Sequence, residues 1–123
     1  RESLRLLTSP VERKGRRYGG FNPVDEETVR VFKAVMDGEH IPFGFQNRDI
    51  RRKLFGKGKS RKDEARLSAK TGRLLKKLHV RKLIAKIQRS RRWRVTEKGW
   101  EIMATSVELS EVSWGRIFKE KAA

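Results

Sequence analysis

The sequence contains no cysteine and only two histidines. Without cysteine the chain forms no disulfide, binds no metal through a thiolate and has no thiol nucleophile. Neither His40 nor His79 has a second candidate ligand at metal-site spacing. The few carboxylates stand at helix starts or between basic residues and form no convergent pair. We therefore expect no catalytic residue, no metal and no cofactor, and predict that the chain is not an enzyme.

Long apolar runs are also missing. No stretch approaches the roughly 18 to 20 apolar residues of a transmembrane helix, and no signal-peptide pattern is present. We therefore predict no membrane partner and an intracellular location, in the cytoplasm or nucleoid. The chain starts with Arg1 instead of Met, so we expect it to be either a trimmed chain or one part of a longer polypeptide. Its 123 residues suffice for one domain with tails.

Acidic residues are outnumbered, with 15 Asp and Glu against 32 Lys and Arg, a formal charge of +17 and a pI near 11.1. This balance indicates a polyanionic partner. Charge alone does not choose among DNA, RNA and a membrane surface. A membrane-surface helix needs a wide apolar face, whereas the apolar stripe of the most basic helix is narrow and is expected to be used by the core.

That helix begins at Ser60, whose hydroxyl caps free amides, with Asp63 in the first turn. At about 100 degrees per residue, one apolar stripe forms from Leu67, Thr71, Leu74, Leu75 and Leu78. The far side carries the cations Lys62, Arg66, Lys70, Arg73 and Lys77. A basic helical face is often only exposed to solvent. Whether this one binds nucleic acid is therefore judged from the segments that follow it.

Two short apolar segments, residues 83 to 87 and 93 to 95, follow the helix and predict a β-hairpin. Its tip carries the arginines Arg89, Arg91 and Arg92. We expect Trp93 to pack on the core, the alternative being a ring free to stack on a base. Thr96 then caps a further helix.

The segments Leu74-Leu75-Lys76-Lys77-Leu78, Leu83-Ile84, Trp93-Arg94-Val95-Thr96 and Glu97-Lys98-Gly99 resemble the winged helix-turn-helix signature of the MarR-like superfamily. The resemblance covers roughly residues 25 to 109. It implies an α+β fold, mainly α, in which a three-helix core carries a β-hairpin wing and is followed by C-terminal helices. The family pattern has a glycine where this chain has Lys82. We therefore expect a left-handed lysine or a different turn there.

Around this unit we predict a basic N-terminal arm or linker over residues 1–22, a winged helix domain over 23–109 and a helical tail over 110–123. The first core helix is predicted to be capped by Asp25 and to stop at Gly38. An extended segment, residues 41 to 45, is expected to pair with the wing. Asn47 is predicted to cap a second helix that runs to Phe55.

Further contacts with nucleic acid are predicted outside the recognition helix. The arm, with Arg16 and Arg17, is either a groove-entering segment or a solvated linker. On the second helix the candidates are Arg48, Arg51 and Arg52, with a solvated surface as the alternative. The turn over residues 56 to 60 does not match a phosphate-binding loop, yet its amides and the lysines Lys57 and Lys59 are candidates for holding a backbone phosphate. His79, at the helix end, is expected to be partly cationic.

These features predict a nucleic-acid-binding domain that docks the basic helix in a DNA duplex and lays the wing beside it. Arg66, Lys70 and Arg73 are the candidates for reaching base edges. One alternative is an RNA-binding subunit of a ribonucleoprotein or mobile-element complex. Another is a protein-interaction module that forms a homodimer or docks to the rest of a larger protein through Trp114, Ile117 and Phe118. For those side chains we expect folding back on the core, with the dimer contact as the alternative.

Overall fold

The computed structural model describes residues 2–23 and 25–122, with side chains described for 5–23 and 25–112. The fold is mixed α+β and mainly helical, with two small antiparallel hairpins. Its elements in chain order are α1 (Glu2–Thr8), β1 (Val11–Arg13), β2 (Arg16–Tyr18), α2 (Glu26–Val35), a 3-10 turn (Gly38–His40), α3 (Asn47–Phe55), α4 (Arg61–Val80), β3 (Ile84–Lys86), β4 (Trp93–Val95) and α5 (Glu97–Ala122).

The core lies between α2, α3, α4 and the first half of α5. Phe32, Ile50, Leu78 and Met103, one from each helix, have no exposed surface. The hairpin formed by β3 and β4 closes one end of this core through Ile84, which is also buried. This packing accounts for the apolar spacing of each helix.

Helix α4 follows the sequence prediction closely. The Ser60 hydroxyl accepts a hydrogen bond from the Asp63 amide at 3.1 Å, and Leu67, Thr71, Leu75 and Leu78 are buried, with Leu74 half-buried. The helix ends in a left-handed lysine, because Lys82 has φ of +61°. The Lys82 amide donates to His79 at 2.9 Å and the Leu83 amide donates to Leu78 at 3.1 Å, which is a Schellman ending. The first of the two predicted alternatives is therefore confirmed.

The β3–β4 hairpin is confirmed, with Ile84 opposite Val95 and Lys86 opposite Trp93. Trp93 is half-buried and packs against the core. The predicted extended segment 41 to 45 is reduced to one bridge, in which Phe45 and Trp93 exchange backbone hydrogen bonds of 2.9 and 2.7 Å. The residues before it form a turn instead, closed by the Gly44 amide donating to the His40 carbonyl at 2.7 Å.

Of the two predicted helix caps, Asp25 is at the predicted position and Asn47 is corrected. Asp25 stands at the start of α2, but its side chain makes no capping hydrogen bond. Helix α3 is preceded by Gln46, whose backbone amide donates to the Asp49 carboxylate at 2.7 Å, so Asn47 is its first residue and not its cap. The Asn47 amide group donates to the Ser68 carbonyl at 3.1 Å and thereby ties α3 to α4.

Within the predicted N-terminal arm or linker, residues 11 to 18 form a β-hairpin, named here the N-terminal hairpin. Lys14 and Gly15 form its two-residue turn, both with positive φ (53° and 75°), as such turns require. Its ends are anchored, since Leu7 and Phe21 are buried and the Phe21 amide donates to the Leu7 carbonyl at 2.6 Å. The charged residues of the hairpin hide the alternating pattern that usually reveals a strand.

The C-terminal helices predicted as two are one continuous helix, α5. Ser106 and Ser110 are buried, so they belong to the inward face of the helix. Because serine is polar, these two positions interrupt the apolar pattern of that face in the sequence. The Ser106 hydroxyl donates to the Pro23 carbonyl, which satisfies it. The predicted contacts of Trp114, Ile117 and Phe118 involve side chains outside the described residues.

Candidate nucleic-acid interface

The exposed face of α4 consists of five cations and two alanines. These residues are Arg61, Lys62, Ala65, Arg66, Ala69, Arg73 and Lys76. The two acids of the helix, Asp63 and Glu64, are half-buried. On a helical wheel of about 100 degrees per residue, the centre of this exposed face lies roughly 60 degrees from the centre of the predicted cationic face. The exposed face therefore gains Arg61 and Lys76, which were not among the predicted contacts, and loses two of the five predicted cations.

Those two, Lys70 and Lys77, are half-buried because neighbouring elements cover them. The Lys70 ammonium lies 5.1 Å from the ring centre of Phe55. The Lys77 ammonium lies 4.1 Å from the ring centre of Phe21 and donates to the Gly20 carbonyl at 3.2 Å. Burial lowers the pKa of Lys77, and the nearby positive charge of Arg81 lowers it further. Both lysines thus hold other segments against α4.

Arg66 is exposed but is already paired within the helix. Its Nη2 lies 2.8 Å and its Nε 3.3 Å from Oδ1 of Asp63. A hydrogen bond from the Lys59 amide, and then Arg66 itself, lower the pKa of Asp63. Such an exposed pair is weak because solvent screens it, so a phosphate can replace Asp63 as the partner of Arg66.

The predicted cations of α3 fall into two groups. Arg48 and Arg52 are exposed. Arg51 is not available, because its Nε lies 3.4 Å from the Glu64 carboxylate and its Nη1 donates to the Asn47 side chain at 3.1 Å. Its side chain is only 14% exposed. Arg51 therefore connects α3 to α4, and its prediction as a phosphate contact is corrected.

The turn between α3 and α4 does not offer its amides to an anion. The Gly58 amide donates to the Glu64 carboxylate, and the Lys59 amide donates to the Asp63 carboxylate at 2.8 Å. Two acids of the following helix therefore occupy the position that a phosphate would take. The side chains of Lys57 and Lys59 are exposed and add positive charge beside α4.

The tip of the β3–β4 hairpin is an ordered turn. The Ser90 hydroxyl donates to the Ile87 carbonyl at 2.8 Å and accepts from the Arg92 amide at 3.0 Å. Arg89, with φ of +59°, and Arg91 are exposed, whereas Arg92 is half-buried. Two of the three predicted arginines are thus presented to solvent on a defined turn.

The N-terminal hairpin brings Arg16 and Arg17 to the side of α4. Both are exposed on β2, next to the half-buried Tyr18. With Arg73, Lys76 and other residues of α4 they line a groove of about 610 Å³, considered below as the basic groove. Sequence reasoning gave these arginines as candidates but gave no sign that they would face the helix.

Arg81 fixes this arrangement and was missed in the sequence. It is 4% exposed, and its guanidinium donates to the carbonyls of Lys77, Ser9 and Gly19 at 3.0, 2.9 and 2.6 Å. None of the side chains described in the structure forms an ion pair with it. Its position at the end of α4 suits the negative end of the helix dipole. A basic residue inside a basic run gives no signal that distinguishes it from its exposed neighbours.

The expected cationic state of His79 is corrected. Its ring packs edge-on against Trp93, with 4.9 Å between ring centres, and its Nδ1 lies 3.5 Å from an Arg13 guanidinium nitrogen. Burial lowers the pKa of His79, and the positive charges of Arg13, Lys76 and Lys86 lower it further. The ring is therefore neutral near pH 7 and adds no charge to the interface.

Neither a metal-binding cluster nor a membrane-spanning helix is found in the part of the chain that the structure describes. Among those residues no group of three His, Asp or Glu side chains is placed to hold a metal ion. Within the same residues, no helix has both the length and the apolar character to cross a membrane. Comparisons with models of protein families, with curated proteins and with solved structures found no match to this chain.

Proposed function

We propose that this chain is a winged helix domain that binds double-stranded DNA, with α4 as the recognition helix. The observation that carries the proposal is the exposed face of α4, where every exposed residue is a cation or an alanine. Cations supply phosphate contacts and release of counterions, and alanines let a helix approach closely. A helix that needed only to be solvated has no reason to exclude acids from its whole exposed face.

The arrangement of elements supports the winged helix assignment. Helices α2, α3 and α4 correspond to the three-helix core, and α3 and α4 to the helix-turn-helix. The β3–β4 hairpin corresponds to the wing, with Arg89 and Arg91 exposed at its tip. Gly99 fits this reading, because a β-carbon there would collide with the Leu83 carbonyl where the wing meets α5.

Duplex DNA is favoured over duplex RNA by the shape of the basic surface. Helix α4 has 20 residues and is about 30 Å long at ~1.5 Å per residue. The major groove of B-form DNA, about 12 Å wide, admits such a helix, whereas the deep and narrow major groove of A-form RNA does not. Among the candidates for base contact, Arg66 and Arg73 are exposed, while Lys70 is not.

The proposal is tested by removing two cations from the first half of α4. We expect Lys62→Ala/Arg66→Ala to lower the slope of log affinity against log salt by about 1.8 on a DNA duplex, because each phosphate contact contributes about 0.9. The matched control is Lys33→Ala/Lys98→Ala, which makes the same change in charge at exposed positions of α2 and α5. Fluorescence anisotropy over a salt series measures both variants.

Two results would overturn the proposal. If the control double variant loses as much slope as Lys62→Ala/Arg66→Ala, binding follows net charge and α4 is not the docking element. If an RNA duplex of the same sequence binds as tightly as the DNA duplex, the protein does not use groove insertion, and the RNA alternative replaces it.

A further inference from the structure

The basic groove lies between the N-terminal hairpin and α4. It has a volume of about 610 Å³ and is lined by Arg16, Arg17, Tyr18, Gly19, Ala69, Gly72, Arg73, Lys76 and Lys77. Five of these nine residues are cationic and none is acidic. Two of the lining residues on α4, Ala69 and Gly72, are small, and Ala69 is exposed.

The two sides of the groove are fixed relative to one another. Arg81, from the end of α4, donates to the carbonyls of Ser9 and Gly19, which stand just before and just after the hairpin. The Lys77 ammonium donates to the carbonyl of Gly20. The hairpin is therefore attached to α4 at both of its ends, and the groove is a property of the folded domain.

The chemistry of the groove fits a polyanion with flat rings. Positive charges of the same sign stand on both sides, with Arg16 and Arg17 on the hairpin and Arg73 and Lys76 on the helix. These charges repel one another unless an anion lies between them. Tyr18 adds an aromatic ring, and the Arg16 guanidinium lies 5.4 Å from its centre. Aromatic rings beside a basic groove are typical of sites that hold single-stranded nucleic acid.

The size of the groove points to one strand. A volume of this order is that of a small-ligand pocket, about 300 to 1,000 Å³, and matches a short segment of one backbone. Glu12 stands opposite Arg17 in the hairpin but does not line the groove.

We propose that the basic groove binds a single strand of nucleic acid, with its phosphates between Arg16 and Arg17 on one side and Arg73 and Lys76 on the other. This inference rests on the proposed function, because Ala69, Arg73 and Lys76 also belong to the exposed face of α4, but it adds the N-terminal hairpin to the interface and assigns a second ligand, a single strand. The N-terminal hairpin then acts as a second contact element beside α4, and a strand displaced or unpaired next to the bound duplex is its substrate.

The first test removes the arginines of the hairpin. We expect Arg16→Ala/Arg17→Ala to lower the salt slope on a short single-stranded DNA by about 1.4, since each phosphate contact to a single strand contributes about 0.7. Between about 50 and 200 mM salt, the affinity advantage of the wild type over this variant then shrinks about sevenfold. Lys33→Ala/Lys98→Ala, with the same change in charge, is expected to shift the slope far less.

The second test fills the groove without changing its charge. Ala69 is exposed and lines the groove, so we expect Ala69→Phe to fold normally and to weaken single-strand binding at least tenfold. Ala104→Phe places the same side chain at an exposed position of α5 and is expected to bind like the wild type. Circular dichroism and thermal unfolding establish that both variants fold.

Each outcome separates this inference from the proposed function. If Arg16→Ala/Arg17→Ala and Ala69→Phe bind single strands like their controls, the groove is not the site, even if duplex binding through Lys62 and Arg66 stands. If single strands bind through the groove but duplex DNA does not bind through α4, the proposed function fails and the inference stands. If a mononucleotide competes as well as an oligonucleotide of equal phosphate concentration, the groove is a small-ligand site and the inference is overturned.

Discussion

Replacing Arg81 with alanine gives a direct test of how the N-terminal hairpin is held. The guanidinium is buried and donates to three backbone carbonyls, two of which, Ser9 and Gly19, flank the hairpin. It also lies 5.4 Å from the ring centre of Phe21. In the Arg81→Ala variant these carbonyls lose a charged donor inside the protein, and we expect residues 2 to 21 to open while the helical core stays folded.

The size of the effect follows from two opposing contributions. Hydrogen bonds from a charged donor contribute about 1.5 to 3 kcal/mol each, so three of them are large in sum. Burying a cation without a carboxylate partner costs several kcal/mol, which the alanine removes. We expect a net loss of about 2 to 4 kcal/mol in the free energy of opening this segment. Since every ~1.4 kcal/mol is a factor of ten, its amides should exchange about 30 to 700 times faster.

Amide hydrogen exchange measures this opening at single residues. The Phe21 amide, which donates to the Leu7 carbonyl, reports on the N-terminal segment, and the Leu78 amide, in the core of α4, is the internal reference. We expect fast exchange at Phe21 and little change at Leu78. Arg48→Ala removes the same charge from an exposed position and controls for net charge.

Two results would refute this reasoning. If Phe21 keeps its wild-type protection in the Arg81→Ala variant, then the three carbonyl contacts do not hold the hairpin. If Phe21 and Leu78 accelerate together, the segment and the core unfold as one unit. Arg81→Lys keeps the charge but loses the planar guanidinium, so the exchange rate of the Phe21 amide in this variant should lie between those of the wild type and Arg81→Ala.

Three further predictions concern single positions. Lys82→Gly should raise the free energy of unfolding by about 1 kcal/mol, since glycine adopts a left-handed conformation without the cost of a β-carbon, and thermal unfolding measures it. Gly99→Ala should lower the free energy of unfolding by about 3 kcal/mol or more, because the new β-carbon meets the Leu83 carbonyl. Gly72→Ala should leave the free energy of unfolding unchanged or raise it by up to about 1 kcal/mol. Chemical denaturation measures both variants. His79 should make the protein less stable at acid pH. Its pKa is lowered from 6.5 by folding, so the unfolded chain takes up the proton first as the pH falls below about 6.5, and the stability present above that pH is lost.

Each of these predictions has a result that contradicts it. A destabilised Lys82→Gly protein would mean that the lysine side chain contributes more than its backbone strain costs. If Gly99→Ala and Gly72→Ala change the free energy of unfolding equally, the close approach of Gly99 to Leu83 is not the cause of the Gly99→Ala effect. For His79, unfolding by urea at pH 7.5 and 5.5 should give a smaller pH dependence in His79→Gln than in the wild type, and an unchanged dependence would assign it to other groups.

The sequence determined the features that depend on local spacing. The stripe Leu67, Thr71, Leu75 and Leu78 predicts one buried helical face, because side chains three and four residues apart share a side of a helix. The Ser60 cap follows from the few residues around it. The β3–β4 hairpin follows in the same way from two short apolar segments around a polar tip.

Tertiary structure decided which of the many cations are available. Arg51 and Arg52 are adjacent in sequence and equally basic, yet Arg51 is engaged by Glu64 and Asn47 while Arg52 is exposed. The helical spacing placed Lys77, and not its neighbour Lys76, among the predicted contacts, but Lys77 meets Phe21 while Lys76 is exposed. The charge pattern does not indicate these partners, because the partner residues belong to segments that are distant in the chain.

The N-terminal hairpin and the basic groove were beyond the reach of local reasoning for the same reason. The sequence by itself determined that the chain is strongly basic, builds a helical core and presents cations on α4. Only the folded chain placed Arg16 and Arg17 opposite Arg73 and Lys76, because that arrangement depends on Arg81 reaching Ser9 and Gly19 across more than 60 positions of sequence. Such long-range contacts arise from packing and leave no periodic signal along the chain.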